Sequence, residues 1–123
     1  MLRILLMLLL PFALFACTTT EIQDQVKAKN WFAVGEYDAS HGFIEKSEKS
    51  LQKLSDKFAD KSINYAEYLK GYKQALDSYC DIENAYILGV QGMTYRNICD
   101  RYPHGWAFYQ DWISGRNSRA ASM

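Results

Sequence analysis

The polar pair best placed for chemistry is Asp38 and His41. On a helix their spacing puts both on one face, and a carboxylate that orients an imidazole is a recurrent acid–base device. A third partner is missing from the local sequence, so a structural role for Asp38, capping a turn or pairing with a nearby base, is the competing reading. The second histidine, His104, stands alone between Pro103 and Gly105, which gives no ligand spacing for a metal. No serine lies in a Gly-x-Ser-x-Gly elbow, and neither a phosphate loop nor a dinucleotide fingerprint occurs. No catalytic residue, metal or cofactor is assigned on these grounds.

The chain has three cysteines, and they divide by task. Residues 1–16 carry a positive charge at Arg3, an apolar run from Ile4 to Phe15 and a small residue, Ala16, which are the parts of a secretory signal peptide. The run is about a dozen residues where a membrane-spanning helix needs roughly 20, and Pro11 interrupts it. Leu14-Phe15-Ala16-Cys17 resembles the lipobox of bacterial lipoproteins. That resemblance implies cleavage before Cys17 and acylation of it, with chains such as palmitate anchoring the protein in a membrane. Thr18 stands where an Asp would favour inner-membrane retention in enterobacterial lipoproteins, which implies the periplasmic face of the outer membrane. With Cys17 assigned to lipid, Cys80 and Cys99 are the thiols left for a disulfide in an oxidising compartment. A bridge closing about 20 residues stabilises by about 3 kcal/mol in the chain-entropy view.

Positioning these groups falls to a small, mainly α domain. The formal charge is zero and no basic stripe suits nucleic acid. Residues 17–29 are mostly polar and read as a lipidated tether; residues 30–116 read as one globular unit and 117–123 as a flexible tail. The clearest helix runs from Asn64 to Tyr79, where Tyr65, Tyr68, Leu69, Tyr72, Leu76 and Tyr79 share a face and Asn64 with Glu67 forms a capping pair. Trp31 to His41 reads as a shorter helix turned near Gly42. Phe43 to Ala59 follows as another, with Ile44, Leu51, Leu54 and Phe58 apolar and Lys46, Glu48, Lys49, Lys53 and Lys57 solvated. Gly89 and Gly92 interrupt the apolar run of Tyr86, Ile87, Leu88 and Val90, which suits an irregular loop or short hairpin. After Pro103, Trp106 to Ile113 forms a last short helix. The expected fold is a small bundle of three to four short helices with an irregular disulfide-stapled loop.

An aromatic residue stands three before a glycine four times: Phe32 and Gly35, Tyr68 and Gly71, Tyr86 and Gly89, Trp112 and Gly115. In a helix, ring and bare glycine then share a side, so another segment approaches over the glycine while the ring covers the gap. Packing is the first reading of this pattern; a binding surface of rings and exposed backbone is the second.

Asn30-Trp31 with Gly35, Asp38 and Gly42, then Tyr68-Leu69-Lys70-Gly71-Tyr72 through Tyr79-Cys80, then Gly89, Gly92, Tyr95 and Cys99, and last Trp112 to Gly115-Arg116, resemble the bacterial envelope lipoprotein family catalogued as domain of unknown function 2799. The chain departs from that pattern at Ala39 and Ala75, where the family often has glycine. Ser50 and Ser55 fill the region where many members carry another cysteine. The resemblance brings no activity with it.

The function expected from the sequence is a non-catalytic binding or structural module of the cell envelope, contacting another envelope protein or cell-wall glycan. Its candidate surface is drawn from Trp31, Gly35, Asp38, His41, Tyr68, Gly71, Tyr72, Gly89, Gly92 and Arg116. The alternative is a small periplasmic hydrolase or lyase using Asp38 and His41.

Overall fold

The structure is a computed structural model that describes residues 17–58 and 62–123. The signal peptide read in residues 1–16 lies outside the described residues, and so does the side chain of Cys17. Six helices occur among the described residues: α1 (Cys17–Lys27), α2 (Trp31–Ser40), α3 (Glu48–Phe58), α4 (Tyr65–Tyr79), α5 (Ile82–Val90) and α6 (Gly105–Ala121).

Local chemistry starts four of them. The Asn30 side chain accepts from the Ala33 amide and Asn64 from the Glu67 amide, both at 3.2 Å. Ser47 accepts from the Ser50 amide at 3.1 Å and Asp81 from the Glu83 amide at 3.0 Å. Each cap satisfies an amide that the first helical turn leaves without a partner.

Two antiparallel hairpins, α2 with α4 and α5 with α6, make the closest helix contacts. Their seams are built alike. A β-carbon added at Gly35 would lie 2.1 Å from the Tyr68 carbonyl oxygen, and one at Gly71 would lie 1.9 Å from that of Phe32. In the other hairpin, Gly89 faces the Trp112 carbonyl at 2.1 Å and Gly115 the Tyr86 carbonyl at 2.0 Å. All four aromatic–glycine pairs are thus packing devices, and they work reciprocally. The glycine of one helix receives the backbone of the aromatic residue on the other. Backbones this near bring Cα–H groups toward carbonyl oxygens, a weak attraction found at close helix crossings.

The segment 91–104 ties the hairpins together. Cys99 is disulfide-bonded to Cys80 with a Cα–Cα distance of 5.4 Å. The Arg96 guanidinium donates to the Gly42 carbonyl at 3.2 Å, Tyr102 donates to Asp77, and His104 Nε2 lies 2.8 Å from the Cys80 carbonyl. Around this staple the core gathers Val34, Leu51, Tyr68, Tyr72, Leu76 and Phe108, all fully buried. Each such side chain contributes about 1.5–3 kcal/mol by leaving water.

Among the described residues the regular elements are all helices and the disulfide is present, in keeping with the mainly α, stapled fold that the sequence implies, but four local expectations change. Residues 82–90 form a helix rather than an irregular loop. Asp81 caps its start, Gly89 serves the seam, and Gly92 ends it at φ +73°, with the Met93 amide reaching back to the Leu88 carbonyl. The glycines close this helix; they do not break it. The expected tether contains helix α1, whose Val26 is fully buried. Residues 43–47 precede α3 as a non-helical strap, and α6 continues to Ala121, through most of the expected tail.

Candidate functional site

The strap between α2 and α3 is held by one face of α4. Tyr65, Tyr68 and Tyr72 recur at helical spacing and point their hydroxyls at the strap. The Tyr72 hydroxyl donates to the Phe43 carbonyl at 2.7 Å and the Tyr65 hydroxyl to the Lys46 carbonyl at 3.0 Å. The Tyr68 hydroxyl accepts from the Lys46 amide at 2.9 Å and donates to Asp38 Oδ2 at 2.9 Å. Lys46 Nζ reaches the same oxygen at 2.5 Å.

Asp38 is only 2% exposed. A carboxylate that deep is tolerated because a cation and a hydroxyl replace its water. Burial raises the Tyr68 phenol far above its ordinary range, and it pushes Tyr72 up to about 12. Both phenols stay neutral near pH 7 and serve as fixed hydrogen-bonding groups. Lys46, which the sequence pattern places on the solvated face, is the partner that makes the buried Asp38 tenable. The signal for it was Asp38 itself, which continues the inward positions of Trp31 and Val34 and so needs a counter-charge.

His41 caps the end of α2. Its Nδ1 lies 2.7 Å from the Tyr37 carbonyl, and its ring stacks on Tyr37 with centroids 4.0 Å apart. A carbonyl only accepts, so Nδ1 is the donor in that bond. Asp38 and His41 share no hydrogen bond; each is engaged with a different neighbour.

Of the candidate surface residues, Trp31, Gly35, Asp38, Tyr68, Gly71, Tyr72 and Gly89 are buried. Trp31 belongs to the core and the others form the strap anchor and the two seams, not an outer face. His41 is half-buried, while Gly92 and Arg116 are exposed, with the Arg116 guanidinium 5.3 Å over the Trp112 ring.

His41 opens instead onto a groove of about 750 Å³ between α1, α2 and α4 and the start of α5. Glu21, Gln25, Glu36, Gln74 and Asn84 contribute to its wall, which has no lysine or arginine. Among the described residues no cluster of three or more His, Cys, Asp or Glu side chains suits a metal ion, and no described helix is long and apolar enough to cross a membrane.

Fold and site together define a small helical domain, two glycine-sealed hairpins joined by a disulfide, with its ionisable core groups committed to structure. The chain belongs to the family described as protein of unknown function DUF2799, whose profile matches residues 30–117. No curated protein and no solved structure matches the chain.

Proposed function

We propose that the protein is a lipoprotein of the outer membrane, exported by residues 1–16, held at the periplasmic face by lipid on Cys17, and acting as a non-catalytic binding module. Its recognition surface is the groove lined by His41. The observation that supports binding over chemistry is the commitment of Asp38 to Lys46 and Tyr68, which leaves His41 without a carboxylate to orient it.

The groove wall offers amides, two carboxylates and no cation. Such a lining suits an extended protein segment, whose backbone amides pair with Gln25, Gln74 and Asn84. Because α1 begins at Cys17 and contributes Glu21, the groove starts about 6 Å along the helix from the anchor. Its ligand is therefore a neighbour at the membrane surface.

A photocrosslinking side chain at Ser40, an exposed position in the groove wall, tests this in cells. A discrete adduct that is absent when the same group is placed at Lys53 on α3 is the expected result. Equal labelling from both positions, or none from Ser40, overturns the groove as the binding surface. Acyl labelling that persists in Cys17→Ser overturns the anchor.

A further inference from the structure

A second cleft lies at the start of α6, away from the groove. Trp106 projects there with 75% of its surface exposed, whereas Trp31 and Trp112 are buried at 3% and 7%. Tyr109 follows three residues later on the same side of the helix and is 38% exposed. With Asn97 and Asp100 from the preceding loop, these rings line an open cleft of about 480 Å³.

The cleft is built on a fixed floor. Tyr95 packs at a tilt among Phe108, Tyr109 and Trp112, with ring centroids 5.5, 5.9 and 5.8 Å away. Its hydroxyl donates to Asp100 Oδ1 at 3.2 Å, which orients that carboxylate at the rim. Asn97 holds a left-handed backbone, φ 58°, that few side chains accept readily. Its side-chain amide makes no hydrogen bond among the described residues, nor does the Trp106 indole N–H. An exposed indole, an exposed phenol ring, a free amide and an oriented carboxylate thus meet at one opening.

We propose that this cleft binds a neutral saccharide. A pyranose presents apolar C–H faces to the two rings and hydroxyls at its edge to the amide, the carboxylate and the indole N–H. The volume falls within the usual range for small-ligand sites, about 300–1,000 Å³. No cation lines the cleft, so an anionic headgroup meets Asp100 with nothing to balance it. An apolar peptide face would bury the Asn97 amide without a partner and leave the Asp100 carboxylate with the Tyr95 hydroxyl alone, a desolvation cost that works against it. The proposal goes beyond the groove reading and is independent of it, because it uses neither His41 nor the lipid.

The test is calorimetric titration of the full chain, in a detergent without a sugar headgroup, with cellotetraose and with the tetramer of N-acetylglucosamine. Saturable binding of at least one is expected, with a blue shift of tryptophan emission, since Trp106 is the solvent-facing indole. Trp106→Ala should weaken binding at least tenfold. Asn97→Gly, which suits the left-handed backbone and so preserves the fold, should weaken it several-fold. Absence of binding by both oligosaccharides overturns the proposal, as does unchanged affinity in folded Trp106→Ala. An emission shift produced by phosphatidylcholine vesicles and by neither sugar identifies a membrane contact and also overturns it.

Discussion

Gly71 lies so close under the Phe32 carbonyl that an added β-carbon would sit 1.9 Å from the oxygen, and Gly35 answers it on the other helix, 2.1 Å from the Tyr68 carbonyl. The atoms in the way are backbone, which cannot rotate aside. In an open helix Gly→Ala stabilises by about 1 kcal/mol. Here overpacking, typically about 1–3 kcal/mol and more against backbone, outweighs that gain. Gly71→Ala should therefore lower stability by about 2 kcal/mol or more, read as a fall in the urea midpoint. A midpoint that rises would show that the seam has room.

The same reasoning separates the hairpins. Reduction of Cys80–Cys99 removes the covalent tie between the end of α4 and the segment 91–104. The loss should be about 3 kcal/mol. Hydrogen exchange should show where it falls: faster for amides of residues 93–104, with the α2 and α4 seam amides accelerated least. Uniform acceleration across both hairpins would mean that the domain unfolds only as a whole.

The parts of the fold legible in the sequence are those written in short-range pattern. The tyrosine stripe of α4 and its Asn64 cap follow from spacing, and the pairing of Cys80 with Cys99 follows once Cys17 is set aside by its resemblance to a lipobox cysteine. Helix α5 was not legible, because Gly89 costs helix propensity locally and repays it only through a contact with Trp112, far along the chain. Helix α1 was hidden for a similar reason: its apolar face is narrow, and Val26 is fixed by burial rather than by periodicity. In the site, the spacing of Asp38 and His41 suggested a pair, yet neither points at the other. Partners across a loop, such as Lys46 for Asp38, are set by where the strap crosses α4 and have no sequence period.

Asp38→Asn tests the strap directly. The amide retains a hydrogen bond to Tyr68 and loses the ion pair with Lys46, whose side chain is 28% exposed. Removing one partner of a buried pair costs about 3–5 kcal/mol, and the partial exposure of Lys46 reduces this to about 2. A double-mutant cycle with Lys46→Ala should recover most of that loss as coupling energy. Additive effects would show that the two side chains do not support each other, and would reopen a chemical role for Asp38.

The tyrosines set the alkaline limit of the fold. Tyr72, Tyr95 and Tyr102 are each pushed up to about 12 by burial, while Tyr79 is raised by the same cause. Their ordinary value in an unfolded chain is 10.0. Between these values the native state holds protons that the unfolded state has released, so the slope of stability with pH is negative. Their contribution is fully present below pH 10 and is lost as pH rises toward about 12. For Tyr68 the ordering is set by the hydroxyl's two roles: ionisation would remove its donation to Asp38 and place a second negative charge beside that carboxylate. Tyrosinate absorbance in a pH titration should therefore contain a component displaced above pH 10, toward about 12. That raised component ionises in one cooperative step coincident with loss of helical circular dichroism. A smooth single titration centred near pH 10 with the helical signal intact would show that the strap is not held by neutral phenols.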